Sequence, residues 1–315
     1  MGILDGKVAL ITGAGRGLGR EEALLFAKEG CNLVINDLGA SHDGTGAETK
    51  VADEVAKECE ALGVKAVGNY DSVTDFDAAK GMIDQAVEEF GKLDIVVNNA
   101  GILRDRMLVN MAEAEWDAVH AVHLKGTFNI TRHATAYFRQ ICKDNPKLKW
   151  PGRIINTASD AGLLGNIGQT NYGAAKAGIA AFTVIAAMEM KRGKYCTVNC
   201  IVPVARTRLT TDATPKMTDV MNKLDESGFD VFNPANVAPM VAFLASDKGT
   251  KISGEVFRAV GDTLWVYQGW HTVAQIDNDG KRWTPEEIAE RIKELTKAVP
   301  RKETLMDAIG SMIKM

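Results

Sequence analysis

The sequence predicts an α/β protein: a doubly wound, Rossmann-type parallel sheet of about seven strands with helices on both faces, followed by a helical C-terminal extension. Three observations lead there. Short, continuous apolar runs alternate with segments of helical periodicity over the first hundred residues, the layout required when parallel strands are joined by crossover helices. A glycine-rich stretch, Thr12-Gly13-Ala14-Gly15-Arg16-Gly17-Leu18-Gly19, directly follows the first of those runs. Polar turns follow the later runs, at the carboxyl edge where an open sheet of this kind binds its ligand.

The first strand covers residues 8–11 and is apolar throughout, as suits a strand covered on both faces. In the turn after it, Gly13, Gly17 and Gly19 give the spacing G-x-x-x-G-x-G, not the G-x-G-x-x-G of long-chain dinucleotide enzymes. Glycine lets a backbone approach a pyrophosphate closely, and a helix starting there offers free N–H groups to its charge. Gly15, Arg16 and Leu18 complete the loop as candidate contacts, although any tight turn also wants glycine. The second strand, 33–35, leads to Asp37, 18 residues past Gly19, where a carboxylate would bind both hydroxyls of an adenine ribose. A 2′-phosphate would meet like charge there, so NAD is expected over NADP. In the competing reading Asp37 serves only its own turn with Leu38 and Gly39; Arg16, inside the glycine loop, argues either for a 2′-phosphate or equally for a contact to the pyrophosphate.

A helix through Val51, Val55, Cys59 and Leu62 comes next. A third strand at 68–70 then leads to Asp71, Ser72 and Val73, expected beside the adenine. Phe76, Ala79, Ile83, Val87 and Phe90 mark another helix. The fourth strand, 95–97, runs into Asn98-Asn99-Ala100-Gly101, and Asn99, Ala100 and Gly101 are placed beside the nicotinamide ribose. One long helix is expected over 113–142, a fifth strand over 153–156, a second long helix over 172–191, and strands over 197–202 and 256–260. Val202 and Thr207 are further candidate cofactor contacts.

The catalytic case rests on Tyr172 and Lys176. Residues four apart share a helix face, so the ammonium can sit near the phenol. Bringing a phenol from a pKa of about 10 to near 7 takes about 4 kcal/mol of preferential phenolate stabilisation, much of which a neighbouring cation can supply. Tyr172 is then a general base. Ser159, thirteen residues earlier, follows the fifth strand and could hydrogen-bond the same substrate oxygen. A lone Y-x-x-x-K is usually structural, and its value here lies in the ordered motifs upstream.

Length and composition agree with this layout. The 315 residues carry 37 Lys+Arg against 41 Asp+Glu, a formal charge of −4. No global field would hold nucleic acid or an anionic membrane. With 46% hydrophobic and 25% charged residues, a wholly disordered or fibrous chain is excluded. Residues 1–260 read as one dinucleotide-binding and catalytic domain. Residues 261–315 read as an extension packed on it or on a partner subunit, because 275–315 hold eight basic and eight acidic side chains, too many for a second core. Within it, Thr284, Pro285 and Glu287 form a capping box with proline at N1, and Ile288, Ile292 and Leu295 need somewhere to dock. Five cysteines without a CxxC pair read as small buried thiols in a reducing compartment, and no metal site is expected. Asp5 and Lys7 interrupt any signal peptide, and no uncharged apolar stretch reaches about 18 residues. A cytoplasmic protein without a membrane partner is the expectation.

TGAGRGLG, NNAG, Ser159 and the Tyr172-Gly173-Ala174-Ala175-Lys176 stretch, in this order and spacing, resemble the short-chain dehydrogenase/reductase family over about residues 5–260. Residues 36–39, 69–73, 98–106, 122–128, 165–176 and 282–288 are similar to one branch of it. That branch holds the (3R)-hydroxyacyl-CoA dehydrogenase part of peroxisomal multifunctional enzyme type 2, or 17β-hydroxysteroid dehydrogenase type 4, with its bacterial steroid and acyl-CoA relatives. Two positions depart from the common pattern. His123 stands where most members have asparagine, though the branch also has histidine, and Pro203-Val204 replaces Pro-Gly. Thr207 matches the family's carboxamide-binding threonine.

The resemblance implies oxidation of a secondary alcohol to a ketone, with NAD as cofactor. Tyr172 would remove the hydroxyl proton, Lys176 would bind the nicotinamide ribose and lower the Tyr172 pKa, and Ser159 would stabilise the developing oxyanion. It also implies a small-molecule substrate, a CoA thioester or steroid, a homodimer or homotetramer, and a substrate-covering loop over 206–232. Two other readings compete: an NADPH-dependent 3-ketoacyl carrier-protein reductase, and a non-catalytic dinucleotide sensor or scaffold. Lys143, Lys147, Lys149 and Arg153 either meet a CoA phosphate or form a solvated loop.

Overall fold

The computed structural model describes residues 2–46, 50–207, 221–222, 228–305 and 307–308. Among them, strands β1 (Val8–Thr12), β2 (Asn32–Asn36), β3 (Ala66–Asn69), β4 (Ile95–Asn98), β5 (Gly152–Thr157), β6 (Cys196–Pro203), β7 (Val256–Val260) and β8 (Thr263–Tyr267) form one sheet. Its order is β3-β2-β1-β4-β5-β6-β7-β8. All neighbours from β3 to β7 are parallel, and β8 alone runs antiparallel to β7. The chain winds outward in both directions from β1 and β4, so the crevice between their carboxyl ends is the switch point where a ligand fits.

The helices are α1 (Gly17–Lys28), α2 (Lys50–Glu60), α3 (Phe76–Phe90), α4 (Glu113–His120), α5 (Gly126–Asp144), α6 (Thr170–Gly193), α7 (Ala238–Ala245) and α8 (Pro285–Ala298). All five β1 residues are buried, and the alternation of a strand sends them to two cores. Ala9 and Ile11 join Phe26, Val55 and Val241 on one face, while Val8 and Leu10 join Ile83, Ile130 and Phe138 on the other. Local signals fix the ends of these helices. At α3, Asp75 accepts from the backbone N–H groups of Asp77 and Ala78 at 2.9 and 2.8 Å, and Gly91 closes the helix at φ 78°.

Three features differ from the sequence expectation. The third strand lies at Ala66–Asn69, slightly earlier than 68–70. The helix expected over 113–142 is interrupted by a π-helical turn, Ala121–Lys125. The boundary expected at residue 260 falls inside a hairpin: β8 pairs with β7 from Val260↔Thr263 to Val256↔Tyr267, so the sheet has eight strands and ends at Tyr267.

Helix α8 has the expected capping box, with Glu287 N–H donating to Thr284 Oγ1 at 3.2 Å and Thr284 N–H to Glu287 Oε2 at 2.8 Å. None of its residues is buried, and Ile288 and Ile292 are 44% and 40% exposed. The docking face expected for them is not found on this subunit among the described residues. Helix α6 has the length and apolarity of a membrane span, but it lies along β6 in the helical layer. All five cysteines are free and buried.

Candidate active site

The carboxyl ends of the central strands open into a cavity of about 540 Å³, within the roughly 300–1,000 Å³ of small-molecule and cofactor sites. At one end the chain leaves β1 through Gly13, which has φ +64°, and enters α1 behind Arg16, whose side chain does not cap the helix. The first N–H groups of α1 are thus left to face an anion. The turn is drawn tight. A Cβ at Gly13 would stand 2.7 Å from Ala100 Cα, and one at Gly19 2.5 Å from Gly13 O.

Asn99 holds the turn from the far side, its Nδ2 donating to Thr12 O at 3.2 Å and Gly13 O at 3.0 Å. Asp37 accepts from Gly15 N–H at 2.8 Å and Gly39 N–H at 2.7 Å, so it serves its own turn and also presents a carboxylate to the cavity. Asp71, Ser72 and Val73 line the neighbouring wall, with Asp71 tied to Asn69 Nδ2 at 3.1 Å.

At the other end stand Ser159, Tyr172 and Lys176. Ser159 follows β5, and its Oγ accepts from Ala161 N–H at 3.2 Å. Tyr172 and Lys176 lie one turn apart on α6, with the Lys176 Nζ 5.6 Å from the phenol ring centroid. Lys176 is buried and donates to Thr157 O at 2.6 Å. Burial pulls its pKa down to about 8, since the charged form loses water. Burial also pushes Tyr172 up to about 12, with Asp105 and Asp160 adding to the rise and hydrogen bonding to Ser159 opposing it. Burial is thus the largest influence on the phenol and acts upward, opposite in direction to the lowering expected from Lys176.

His123 projects from the π-helical turn. Its Nε2 lies 2.8 Å from Ile102 O and 3.1 Å from Ile102 N, and its ring stands edge-on to Tyr172 at 5.1 Å and 86°. Burial, with Lys176 adding to it, holds its pKa well below the ordinary histidine value. It forms part of the cavity wall beside Tyr172.

A family profile described as short chain dehydrogenase matches residues 7–218. The chain belongs to the short chain dehydrogenase family. It is 42% identical over 292 residues to the hydroxyacyl-CoA dehydrogenase ChsB1 of Mycobacterium tuberculosis, covering 92% of this chain and 89% of that one. It is 45% identical over 243 residues to the peroxisomal multifunctional enzyme type 2 of Drosophila melanogaster, matching 77% of this chain and 37% of that longer protein. The crystal structure of a short chain dehydrogenase from Mycobacterium avium superposes with a TM-score of 0.84 at 44% identity, covering 96% of this chain and 99% of that one. The protein is an oxidoreductase of the family that acts on CH–OH groups.

Short chain dehydrogenases bind a nicotinamide dinucleotide, and the residues here fit one. The narrow glycine turn leads into the N–H groups of α1, the Asp37 carboxylate lines the same cavity, and Thr207 leans over the turn with its Cγ2 3.5 Å from where a Gly17 Cβ would be. Of the predicted contacts, Gly13, Arg16, Gly17, Leu18, Ala100, Gly101 and Thr207 line the cavity with those already placed. Gly15, Gly19 and Val202 do not. The two glycines pack the turn from behind, and Val202 is fully buried among Ile179 and Cys200.

Arg153 is not a phosphate ligand. It is buried, bonds Ser246 O at 3.1 Å, Trp150 O at 2.6 Å and Thr250 Oγ1 at 2.5 Å, and pairs with Asp247 at 3.2 Å. None of Lys143, Lys147 and Lys149 lines the cavity either. Most of the expected covering loop, 208–220 and 223–227, lies outside the described residues, while Met221 and Phe232 line the cavity. The sequence reading missed Asp160, Asn166, Gln169 and Leu305, which also line it. The first three flank Ser159 and Tyr172 in the chain, a signal that could have found them, whereas Leu305 arrives from the far C-terminal segment without any.

Proposed function

We propose that the protein is an NAD-dependent dehydrogenase that oxidises the secondary alcohol of a (3R)-hydroxyacyl-CoA, carrying a fatty or steroid side chain, to the ketone. The observation that carries this reading is the convergence of Ser159, Tyr172 and Lys176 on one cavity with the glycine turn and Asp37 at its other end. The substrate class follows the likeness to ChsB1 and the multifunctional enzymes.

The bound dinucleotide supplies the hydride acceptor. The phenol of Tyr172 takes the hydroxyl proton, and Ser159 donates a hydrogen bond to the substrate oxygen. Lys176, fixed by Thr157 O, holds the ribose and places positive charge beside the phenolate. The hydrogen bond from Ser159 and the charge of Lys176 together would offset the desolvation that raises Tyr172. His123 and Ile102 keep water from the far side of the ring. Proton release favours oxidation as pH rises.

Asp37 supports NAD over NADP. Arg16, which also lines the cavity, favours the NADPH-dependent ketoacyl reductase reading. A homo-oligomer is part of the proposal, because Val184, Ile185 and Met188 on α6 are 40%, 57% and 68% exposed. A cytoplasmic, reducing setting is supported by five unpaired buried thiols.

The test is reduction of NAD and, separately, NADP over a panel of hydroxyacyl-CoA thioesters and 17β-hydroxysteroids. Turnover of a (3R)-hydroxyacyl-CoA with NAD is expected, and silence across the panel would sink the proposal. Tyr172→Phe should lower kcat by about 10³-fold or more, as removal of a general base does, with NAD affinity near the wild-type value. Wild-type turnover in that variant would remove Tyr172 from the mechanism.

A further inference from the structure

Asp160 is the residue after Ser159 and the first before the π-helical turn Ala161–Gly165, yet its side chain does not cap that turn. It reaches across to the outer hairpin. Its Oδ2 accepts from Arg258 Nε on β7 at 3.0 Å, and its Oδ1 accepts from the Tyr267 hydroxyl on β8 at 2.6 Å. The ion pair is almost sealed, with side-chain exposures of 5% for Asp160 and 3% for Arg258. Arg258 also stacks over the Trp265 ring at 4.8 Å, its partner in the β7–β8 ladder. Burial and the Asp160 carboxylate hold the Tyr267 phenol well above its ordinary pKa, so it remains a donor throughout the working range.

The opposite side of the same turn is pressed on α6. A Cβ at Gly162 would stand 2.5 Å from Ala177 N, 2.8 Å from Lys176 C and 2.9 Å from Gly173 O. The Ser159 segment is therefore held between the helix that carries Tyr172 and Lys176 and a hairpin at the sheet's edge. A buried ion pair is a poor source of stability, because desolvating two charges consumes about what their attraction returns. Apolar side chains of similar size would hold the hairpin at least as well. What they would not do is fix the direction of the chain at Ser159.

We propose that Asp160, clamped by Arg258 and Tyr267, is a positioning residue that sets Ser159 against Tyr172, so that the outer hairpin β7–β8 belongs to the catalytic apparatus. The inference rests on the reading of Ser159, Tyr172 and Lys176 as the catalytic groups. Asp160 acts through Ser159 and needs no contact with the reacting atoms.

The experiment compares wild type, Tyr267→Phe, the pair Asp160→Leu/Arg258→Met and Tyr172→Phe in the full-length protein. It measures kcat and KM on a (3R)-hydroxyacyl-CoA, NAD affinity, and Tm. Tyr267→Phe should fold, lose little Tm and bind NAD as wild type does, while kcat falls several-fold and KM stays within about twofold. The apolar pair should keep or raise Tm, yet lose about tenfold or more in kcat, the scale expected from a small misplacement of a catalytic group. A merely structural clamp would recover kcat along with Tm in that pair. If the pair is stable and turns over at the wild-type rate, the inference falls even though Tyr172→Phe is inactive. If Tyr172→Phe is active, or wild type turns over no substrate, the catalytic reading falls and takes the inference with it.

Discussion

Glu22 lies on α1 with 1% of its surface exposed and its Oε2 without a hydrogen-bond partner. Burial raises its pKa to about 8, so at neutral pH the folded protein holds a proton there that the unfolded chain has released. Because the folded value is the higher one, the acid's contribution to stability is fully present below about pH 4.5 and is lost as pH rises toward 8. Its loss has a slope of about 1.4 kcal/mol per pH unit across pH 5–7. Glu22→Gln should remove that slope and raise Tm most at pH 8, measured by denaturation over a pH series. At Asp37, the carboxylate supports its turn, and under the proposed function it also repels a 2′-phosphate. Asp37→Ser should therefore weaken binding of both cofactors through the turn, but shift the ratio of NADP to NAD affinity by about tenfold or more toward NADP. The ratio, read by paired titrations, separates the two roles.

Between β5 and α6, the π-helical turn and the start of the helix interlock at Gly162. Gly162→Ala should destabilise the protein by roughly 1–3 kcal/mol as an overpacking change, seen as a lower Tm, with kcat reduced in the protein that still folds. This element also marks what the sequence could convey. Strands β1, β2 and β4 were legible because each has a continuous buried apolar run. The glycine turn, NNAG, Ser159 and the Tyr172–Lys176 pair were legible because close approach and helical spacing leave few choices of residue. The π-helical turn at His123 was not, because its side chains keep an ordinary helical pattern while one extra residue is accommodated in the backbone. Strand β8 was hidden for another reason. Its Leu264 and Val266 are 55% and 61% exposed, so it lacks the buried apolar run that revealed the others, and the charged segment beyond it obscured the alternation of Thr263, Trp265 and Tyr267. Asp160 was passed over because its partners lie 98 and 107 residues away in the chain.

Across the molecule, several apolar side chains of the described residues remain exposed, among them Val184, Ile185 and Met188 on the outer face of α6, Leu264 and Val266 on β8, and Ile288 and Ile292 on α8. Soluble monomers seldom leave such patches open, which is the basis for expecting an oligomer. Ile185→Glu should leave the subunit core intact and reduce the mass seen by sedimentation or light scattering. An unchanged mass would take α6 out of the assembly.

The five cysteines are distributed through the same molecule in a way that outlasts any question of pairing. Cys31 and Cys59 sit in one core, Cys196 in the other with Cys142 at its margin, and Cys200 in a third cluster behind the Tyr–Lys helix. Burial raises every one of their pKa values, with Cys59 and Cys200 pushed up to about 12. A thiol in that condition reacts only when the layer around it opens. The protein thus carries intrinsic chemical clocks on both sides of its sheet, and the rate at which each sulfur is modified times the local breathing of the region that conceals it.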